Sequence, residues 1–156
     1  MIEIRRAAAR DADAVRACLA AAFEPYRHSY TPGAYRDTVP DPHGIADRIE
    51  RMSVLVASVP PGEIVGTLAY STSGVEGHLR GMAVLPKYLG YGVAPQLLAS
   101  AERDLLAAGC THVTLDTTLP LQRAIRFYMK HGYAATGAVS DFYGMALYEY
   151  RKILHP

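Results

Sequence analysis

The stretch Leu85–Pro95 contains the residues of this sequence that are best suited to hold a ligand. The apolar run Leu79–Leu85 ends at Pro86, and a loop with Gly90 and Gly92 then leads into a long helical pattern. The first amides of a helix attract anions, and glycines let a phosphate approach the backbone closely. The sequence therefore predicts an anion site here, although a tight turn between strand and helix also accounts for both glycines.

The loop matches neither of two named nucleotide-binding motifs. A Walker loop ends in Gly-Lys-Ser/Thr, which is absent. A dinucleotide fingerprint requires G-x-G-x-x-G/A, but in this sequence the sixth position of the motif is Pro95. The acidic residue that follows the next strand of such a motif does have a counterpart, Asp116, at about the expected distance along the chain. Only one parallel crossover follows the loop, so dinucleotide binding ranks below other anionic ligands.

The N-terminal part of the chain reads as a short strand followed by helices. Ile2–Arg6 alternates apolar and polar residues, and an amphipathic helix follows from Asp11 or Asp13 to Phe23. Prolines divide the stretch Glu24–Pro42, which we expect to be irregular. A short helix is predicted over Gly44–Met52.

The remainder alternates strands with two helices. Five further strands are predicted in addition to Leu79–Leu85: Ser53–Val59, Glu63–Tyr70, Val113–Asp116, Tyr133–Val139 and Met145–Ile153. One helix runs from Val93 to a stop at Gly109, and another, around Ala124–Met129, stops at Gly132. This order predicts one α/β domain (α+β by some schemes) over residues 1–156, with a mixed, mostly antiparallel sheet of about six or seven strands flanked by helices.

Composition excludes several classes of protein. The chain has 156 residues and a formal net charge of +1, which argues against nucleic acid or an anionic membrane as the main partner. Two cysteines do not build a disulfide scaffold, and six scattered histidines show no zinc spacing, so no metal is expected. Neither a signal peptide nor a membrane span is visible. We therefore expect a soluble, cytoplasmic protein.

Two stretches resemble a known family, the GCN5-related N-acetyltransferases (GNAT). Met82–Leu98 is similar to the family's fourth strand, pyrophosphate loop and third helix, and Ala124–Tyr133 is similar to its last helix and the following turn. The sequence departs from the family pattern at Leu89, where Gln or Arg is usual, and at Leu121, where Asn is common. The resemblance covers almost the whole chain and implies the GNAT fold, with acetyl-CoA as cosubstrate.

The resemblance also implies which residues hold this cosubstrate. In the family, the fourth and fifth strands splay apart and the pantetheine arm lies in the gap. The residues carried over by position are Met82, Ala83, Val84, Leu89, Gly90, Tyr91, Gly92, Val93, Ala94, Phe127 and Tyr128. The N–H of Val84 would stabilise the oxyanion, and Tyr128 would be the general acid for the departing thiolate. The alternative is that Tyr128 has only a structural role, as an aromatic residue of the core on one face of a helix.

The general base and the acceptor site are less defined. Glu76 and His78, just ahead of the predicted fourth strand, and Asp116, at the end of the fifth, are candidate bases, and a water chain is an alternative to all three. We expect the acceptor between the segment Tyr26–Tyr35, which includes His28 and Tyr30, and the turn Ser140–Tyr143. In that turn, Asp141 offers a charge for an ammonium group, and Phe142 and Tyr143 offer aromatic faces.

Together these features predict an N-acetyltransferase that moves the acetyl group of acetyl-CoA to a primary amine by direct attack in a ternary complex. The amine belongs to a small molecule or a peptide. Members of the family often form dimers, so the resemblance is compatible with a homodimer. One alternative is a catalytically weak acyl-CoA-binding or sensor domain of the same fold. The other is a nucleotide-binding oxidoreductase fragment that uses Gly90 and Gly92.

Overall fold

A computed structural model describes all residues 1–156 and shows one mixed sheet with helices on both faces. The strands are β1 (Glu3–Arg6), β2 (Ser53–Val59), β3 (Glu63–Ser73), β4 (Glu76–Val84), β5 (His112–Thr117), β6 (Ala134–Phe142) and β7 (Met145–Ile153). The helices are α1 (Ala12–Phe23), α2 (Pro32–Thr38), α3 (Pro42–Arg51), α4 (Val93–Ala107) and α5 (Gln122–Lys130). Short 3-10 turns cover Ala9–Asp11, Glu24–Ser29 and Pro86–Tyr88.

The strand order is β1-β2-β3-β4-β5-β7-β6. Every neighbouring pair is antiparallel except β4 and β5, which are parallel and joined through α4. This is the mixed, mostly antiparallel sheet expected from the sequence. No helix of this chain combines the length and the apolar character that a membrane crossing requires.

The period-two alternation of the strands divides the core into two layers. On β2, Leu55 and Ala57 face the layer that contains α4 and α5, whereas Val54 and Val56 face the layer that contains α1 and α3. Successive side chains of a strand point to opposite faces, so a continuous apolar run is the pattern of a strand covered on both sides. The two layers hold the central strands, and thus the ends of β4 and β5, in place.

Three stretches differ from the sequence-based expectation. The predicted turn Ser140–Tyr143 is mostly strand, because β6 continues to Phe142. The Glu24–Pro42 stretch is not irregular, because it forms the 3-10 turn Glu24–Ser29 and the helix α2. Pro25 and Pro32 each stand in the first turn of their helical segment, where the missing N–H costs nothing. Strand β4 begins at Glu76, so Glu76 and His78 lie within this strand and not ahead of it.

The sequence suggests that the side chain of Asp11 caps α1, but this side chain forms no hydrogen bond to the first turn of the helix. Its carboxylate accepts two bonds from Arg5, at 2.8 and 3.0 Å, and one from the Ala8 N–H at 2.7 Å. The carboxylate is 6% exposed, and its hydrogen bonds to Arg5 lower its pKa to about 2. Asp11 thereby ties the end of β1 to the start of α1.

Replacing Asp11 by asparagine is expected to lower the free energy of unfolding at pH 7 by about 1–3 kcal/mol, because charged hydrogen bonds are lost from a buried site. Since the folded state lowers this pKa from 3.8, the stabilisation is present above pH 4 and is lost as the pH falls towards 2. Urea unfolding across this pH range measures the difference. The exposed Asp13→Asn variant is the control, and equal losses in both variants would contradict the prediction.

Candidate active site

The sheet opens where β4 and β5 stop pairing. Their parallel ladder ends at Leu79 and Leu115, although β4 continues to Val84 and β5 to Thr117. Strand β4 has one extra residue opposite β3 in this region, and Gly81 in that bulge takes a φ of +65°. The bulge bends β4 away from β5 and leaves backbone groups on the open side of β4 without a strand partner.

The N–H of Val84 faces this opening. The N–H of Leu85 donates to the Val65 carbonyl at 2.8 Å, and Val84 lies opposite Gly66 on β3. Because antiparallel residues alternate between bonded and non-bonded pairs, the N–H of Val84 points away from β3. It is therefore available to a ligand between the strands.

The loop before α4 presents a group of free backbone donors. The N–H groups of Gly90, Gly92, Val93 and Ala94 make no hydrogen bond within the protein. Gly90 and Gly92 have φ values of +86° and +85°, in the left-handed region that glycine adopts without a steric penalty. Free donors at the start of a fifteen-residue helix form an anion site, since the helix dipole adds positive potential.

A cleft of about 660 Å³ runs from this loop to the gap between the strands. Nine of the residues assigned to the cosubstrate line it: Met82, Val84, Leu89, Gly90, Gly92, Val93, Ala94, Phe127 and Tyr128. Ala83 and Tyr91 do not. Ala83 pairs with Thr67 on β3 and its carbonyl lies 3.7 Å from Cys18 Sγ, whereas Tyr91 is 69% exposed and packs edge-on against Tyr88.

Tyr128 stands on α5 in the wall of the cleft. Its side chain is 7% exposed and its hydroxyl makes no hydrogen bond to another protein group. Burial raises the pKa of the phenol above its ordinary value, so the hydroxyl keeps its proton at any physiological pH. Tyr128 is thus both a core aromatic and a proton-bearing donor beside the cleft.

A second pocket of about 280 Å³ adjoins the cleft. The two cavities share the wall formed by Arg80, Gly81, Asp116 and Thr117, at the point where β4 and β5 separate. The hydroxyl oxygen of Thr117 is buried there and has no hydrogen-bond partner. A buried polar atom without a partner is rare, and Thr117 is one of the residues that line both cavities.

The two segments expected to hold the acceptor meet beside this pocket. Thr31 Oγ1 donates to the Tyr143 carbonyl at 2.8 Å, and Tyr30 and Phe142 line the pocket. The Tyr30 hydroxyl lies 2.7 Å from Thr118 Oγ1. Neighbouring Tyr26 lines the larger cleft instead.

Other residues of these two segments lie elsewhere. Asp141 faces the β6–β7 turn, where it accepts a bond from the Gly144 N–H at 3.4 Å, and it does not line the pocket. His28 is exposed outside both cavities, and Tyr143, 58% exposed, packs against Gly33. The carboxylate of Asp141 thus contacts its own turn, as is common for Asp at tight turns, and its role toward the acceptor stays a prediction.

The candidate bases separate into two groups. His78 lines the smaller pocket, with Nδ1 2.8 Å from Thr114 Oγ1 and Nε2 3.5 Å from Asp116 Oδ2. Glu76 lines neither cavity; it accepts a bond from Thr114 at 3.0 Å and lies 3.2 Å from His112. Burial raises the pKa of Asp116, and His78 opposes that shift.

Sequence reasoning missed several residues of the smaller pocket, namely Asp37, Thr38, Arg48, Thr117, Thr118 and Leu147. None belongs to a motif, and they come from α2, α3, β7 and the chain around the end of β5. Asp37 and Arg48 reach the pocket that His78 lines only because the fold places Asp37 beside Arg80 and Arg48 beside Gly81. No local signal in the sequence identifies them.

The chain belongs to the acetyltransferase (GNAT) family, whose model matches residues 15–133. A Photorhabdus laumondii protein named as an acetyltransferase is 32% identical over 83 residues, which are 49% of this chain and 57% of that protein. The match thus spans little more than half the length of this curated relative.

Solved structures share the fold across the whole chain. The PaiA N-acetyltransferase of Thermoplasma acidophilum in complex with coenzyme A has a TM-score of 0.82 at 18% identity, covering 99% of both chains. Ard1 of Thermoplasma volcanium also reaches 0.82, at 22% identity and 99% of both chains. The ribosomal-protein-S18-alanine N-acetyltransferase of Escherichia coli reaches 0.80 at 16% identity, covering 100% of this chain and 96% of the other. The family and the fold expected from the sequence are confirmed.

Proposed function

We propose that this acetyltransferase moves the acetyl group of acetyl-CoA to a primary amine by direct attack in a ternary complex. The observation that carries the proposal is the meeting of two cavities at the point where β4 and β5 separate. The larger one begins at the free N–H groups of the Gly90–Ala94 loop, which suit a pyrophosphate. The smaller one has room for an amine at the same point.

In the proposed reaction the amine nitrogen attacks the thioester carbonyl carbon. A C–N bond forms, the C–S bond breaks, and the thiolate of coenzyme A leaves. The N–H of Val84, fixed in the opening, stabilises the oxyanion of the tetrahedral intermediate, an effect of about 10²–10³ in rate for one donor. The ammonium proton must go to a base before attack, and the thiolate needs a donor as it leaves.

His78 is the base that the hydrogen bonds favour. Thr114 donates its only hydroxyl proton to the Glu76 carboxylate, so it must accept from Nδ1–H of His78. Neutral His78 then has its lone pair on Nε2, the nitrogen nearer to Asp116. Asp116 would stabilise the imidazolium that forms when Nε2 takes the proton. Glu76 acts through Thr114 as a positioning residue.

Tyr128 donates a hydrogen bond to the leaving thiolate in the proposed reaction. Because burial raises the pKa of its phenol, full proton transfer to a thiolate is unfavourable, but a hydrogen bond to the developing negative charge is strong. Tyr128 thus stabilises the thiolate as a donor, and solvent or the released amine proton completes the thiol.

Acetyl-CoA turnover across a panel of amines tests the proposal, with thiol release and the mass of the products as the readouts. Stoichiometric thiol and N-acetylated product are expected. Binding of coenzyme A without turnover of any amine would favour a sensor domain of the same fold. Stabilisation by NAD or flavin and not by coenzyme A would favour the oxidoreductase fragment.

Replacing Tyr128 by phenylalanine is expected to lower kcat by about 10- to 100-fold with little change in KM, since one hydrogen bond to a charged group is lost only in the transition state. Steady-state kinetics with acetyl-CoA and the best amine measure the change. The control is Tyr133→Phe, whose hydroxyl donates to Glu102 at 2.7 Å and does not line the cleft. An unchanged kcat for Tyr128→Phe would leave Tyr128 as a core aromatic.

A further inference from the structure

Arg48 is a cation without a partner in the wall of the smaller pocket. It lies on α3, is partly buried, and forms neither an ion pair nor a side-chain hydrogen bond with any protein group. A Cβ atom at Gly81 would lie 2.8 Å from Arg48 Nη1, so the guanidinium lies directly against the β4 bulge. It is therefore held at the point where the pocket meets the cleft.

No carboxylate of the pocket forms an ion pair with Arg48. Asp37 is bound to Arg80 at 3.0 Å, and Asp116 lies nearest to His78, at 3.5 Å. Burial, followed by the nearby charge of Arg80, lowers the pKa of Arg48 to about 10, and the charge of Asp37 opposes this shift in part; Arg48 stays cationic at neutral pH. An unpaired guanidinium in such a place is costly, and an anionic ligand would remove that cost.

The cosubstrate does not supply this anion. Arg48 lines only the smaller pocket and is absent from the wall of the larger cleft, whose free N–H groups lie at the start of α4. A planar guanidinium with five donors matches the two oxygens of a carboxylate. A pocket of about 280 Å³ suits a small molecule or one end of a larger one.

We infer that the acceptor is a small amino acid, whose carboxylate is bound by Arg48 while its amine faces His78 and Asp116. This inference rests on the proposed function and names its acceptor class. The pocket is complementary to such a molecule, because its unpaired cation lies on α3 and the groups that receive the ammonium proton lie on β4 and β5. Arg48 is thereby the residue that distinguishes an amino acid from a simple amine.

The test compares amino acids with their carboxamides, which differ only in the negative charge. Pairs of α-amino acids and of longer ω-amino acids are assayed for kcat/KM, and their binding to the protein saturated with coenzyme A is measured by calorimetry. The variant is Arg48→Gln. The matched control is Arg51→Gln, on the same helix but exposed and paired with Asp47 at 2.8 Å.

For at least one pair, the acid is expected to exceed its amide in kcat/KM by about 10- to 100-fold, and Arg48→Gln is expected to abolish that preference. Arg51→Gln should keep it, and KM for acetyl-CoA should stay the same in both variants. Equal or better use of the amides, or a preference that survives Arg48→Gln, would overturn the inference while the acetyltransferase activity stands.

The binding measurement separates this inference from the proposed function. If no amine is acetylated but the acids still bind more tightly than the amides in a manner that depends on Arg48, the carboxylate site stands and the proposed reaction fails. If the acids neither bind nor react, the inference is overturned together with its acceptor class.

Discussion

Replacing His78 by glutamine is expected to lower kcat/KM for the amine by about 100-fold or more at neutral pH, because a positioned general base contributes about 10²–10⁴ in rate. Glutamine retains hydrogen bonding to Thr114 but cannot take a proton. Initial rates at neutral pH, with the amine varied at saturating acetyl-CoA, measure the loss.

His112→Gln is the matched control for this variant. His112 lies on the neighbouring strand, also contacts Glu76, at 3.2 Å, and lines neither cavity. Thr114→Val should give a smaller loss, since it frees the His78 ring without removing it. Equal kinetics for the His78 and His112 variants would leave Asp116 or a water chain as the base.

Replacing Gly92 by valine is expected to weaken the binding of coenzyme A by about 100-fold or more. Gly92 has a φ of +85°, which valine does not adopt without strain, so the loop must move and the N–H groups of Gly92, Val93 and Ala94 no longer converge. Calorimetric titration with coenzyme A measures the affinity.

Gly109→Val is the control for backbone strain. Gly109 has a φ of +93° at the other end of α4 and does not line the cleft. Both variants should lose stability by about 1 kcal/mol or more, but only the Gly92 variant should lose affinity. If coenzyme A binds both variants equally, the pyrophosphate does not lie at this loop.

The loop could be found from the sequence because its signal is local. Two glycines between an apolar strand and a long helical pattern specify a backbone shape within a few residues, and this shape holds the free N–H groups of Gly90 and Gly92. The strand Ser53–Val59 was predicted with its observed ends for the same reason, since its run of apolar residues lies between turn signals. The family resemblance depends on these stretches as well.

Predictions from a single residue type are less secure where that residue type has more than one structural role. Proline ends most helices but also starts them, so α2 was missed at Pro32. Asp141 is suited by charge to hold an ammonium group, but its carboxylate bonds the backbone of its own turn. His78 and Glu76 look alike as candidate bases in the sequence, and only the structure distinguishes them, because His78 lines the smaller pocket and Glu76 lines neither cavity.

The sequence by itself determined most of the strands and helices, the family and the glycine loop, because periodicity, turn residues and motifs are encoded over short stretches of chain. The tertiary structure alone decided where β4 leaves β5, that His78 lies beside Asp116, and that Arg48 lies against Gly81. Each of these contacts joins residues far apart in the chain. They depend on strand register and on the position of α3 over β2 and α1, which no single stretch of sequence specifies.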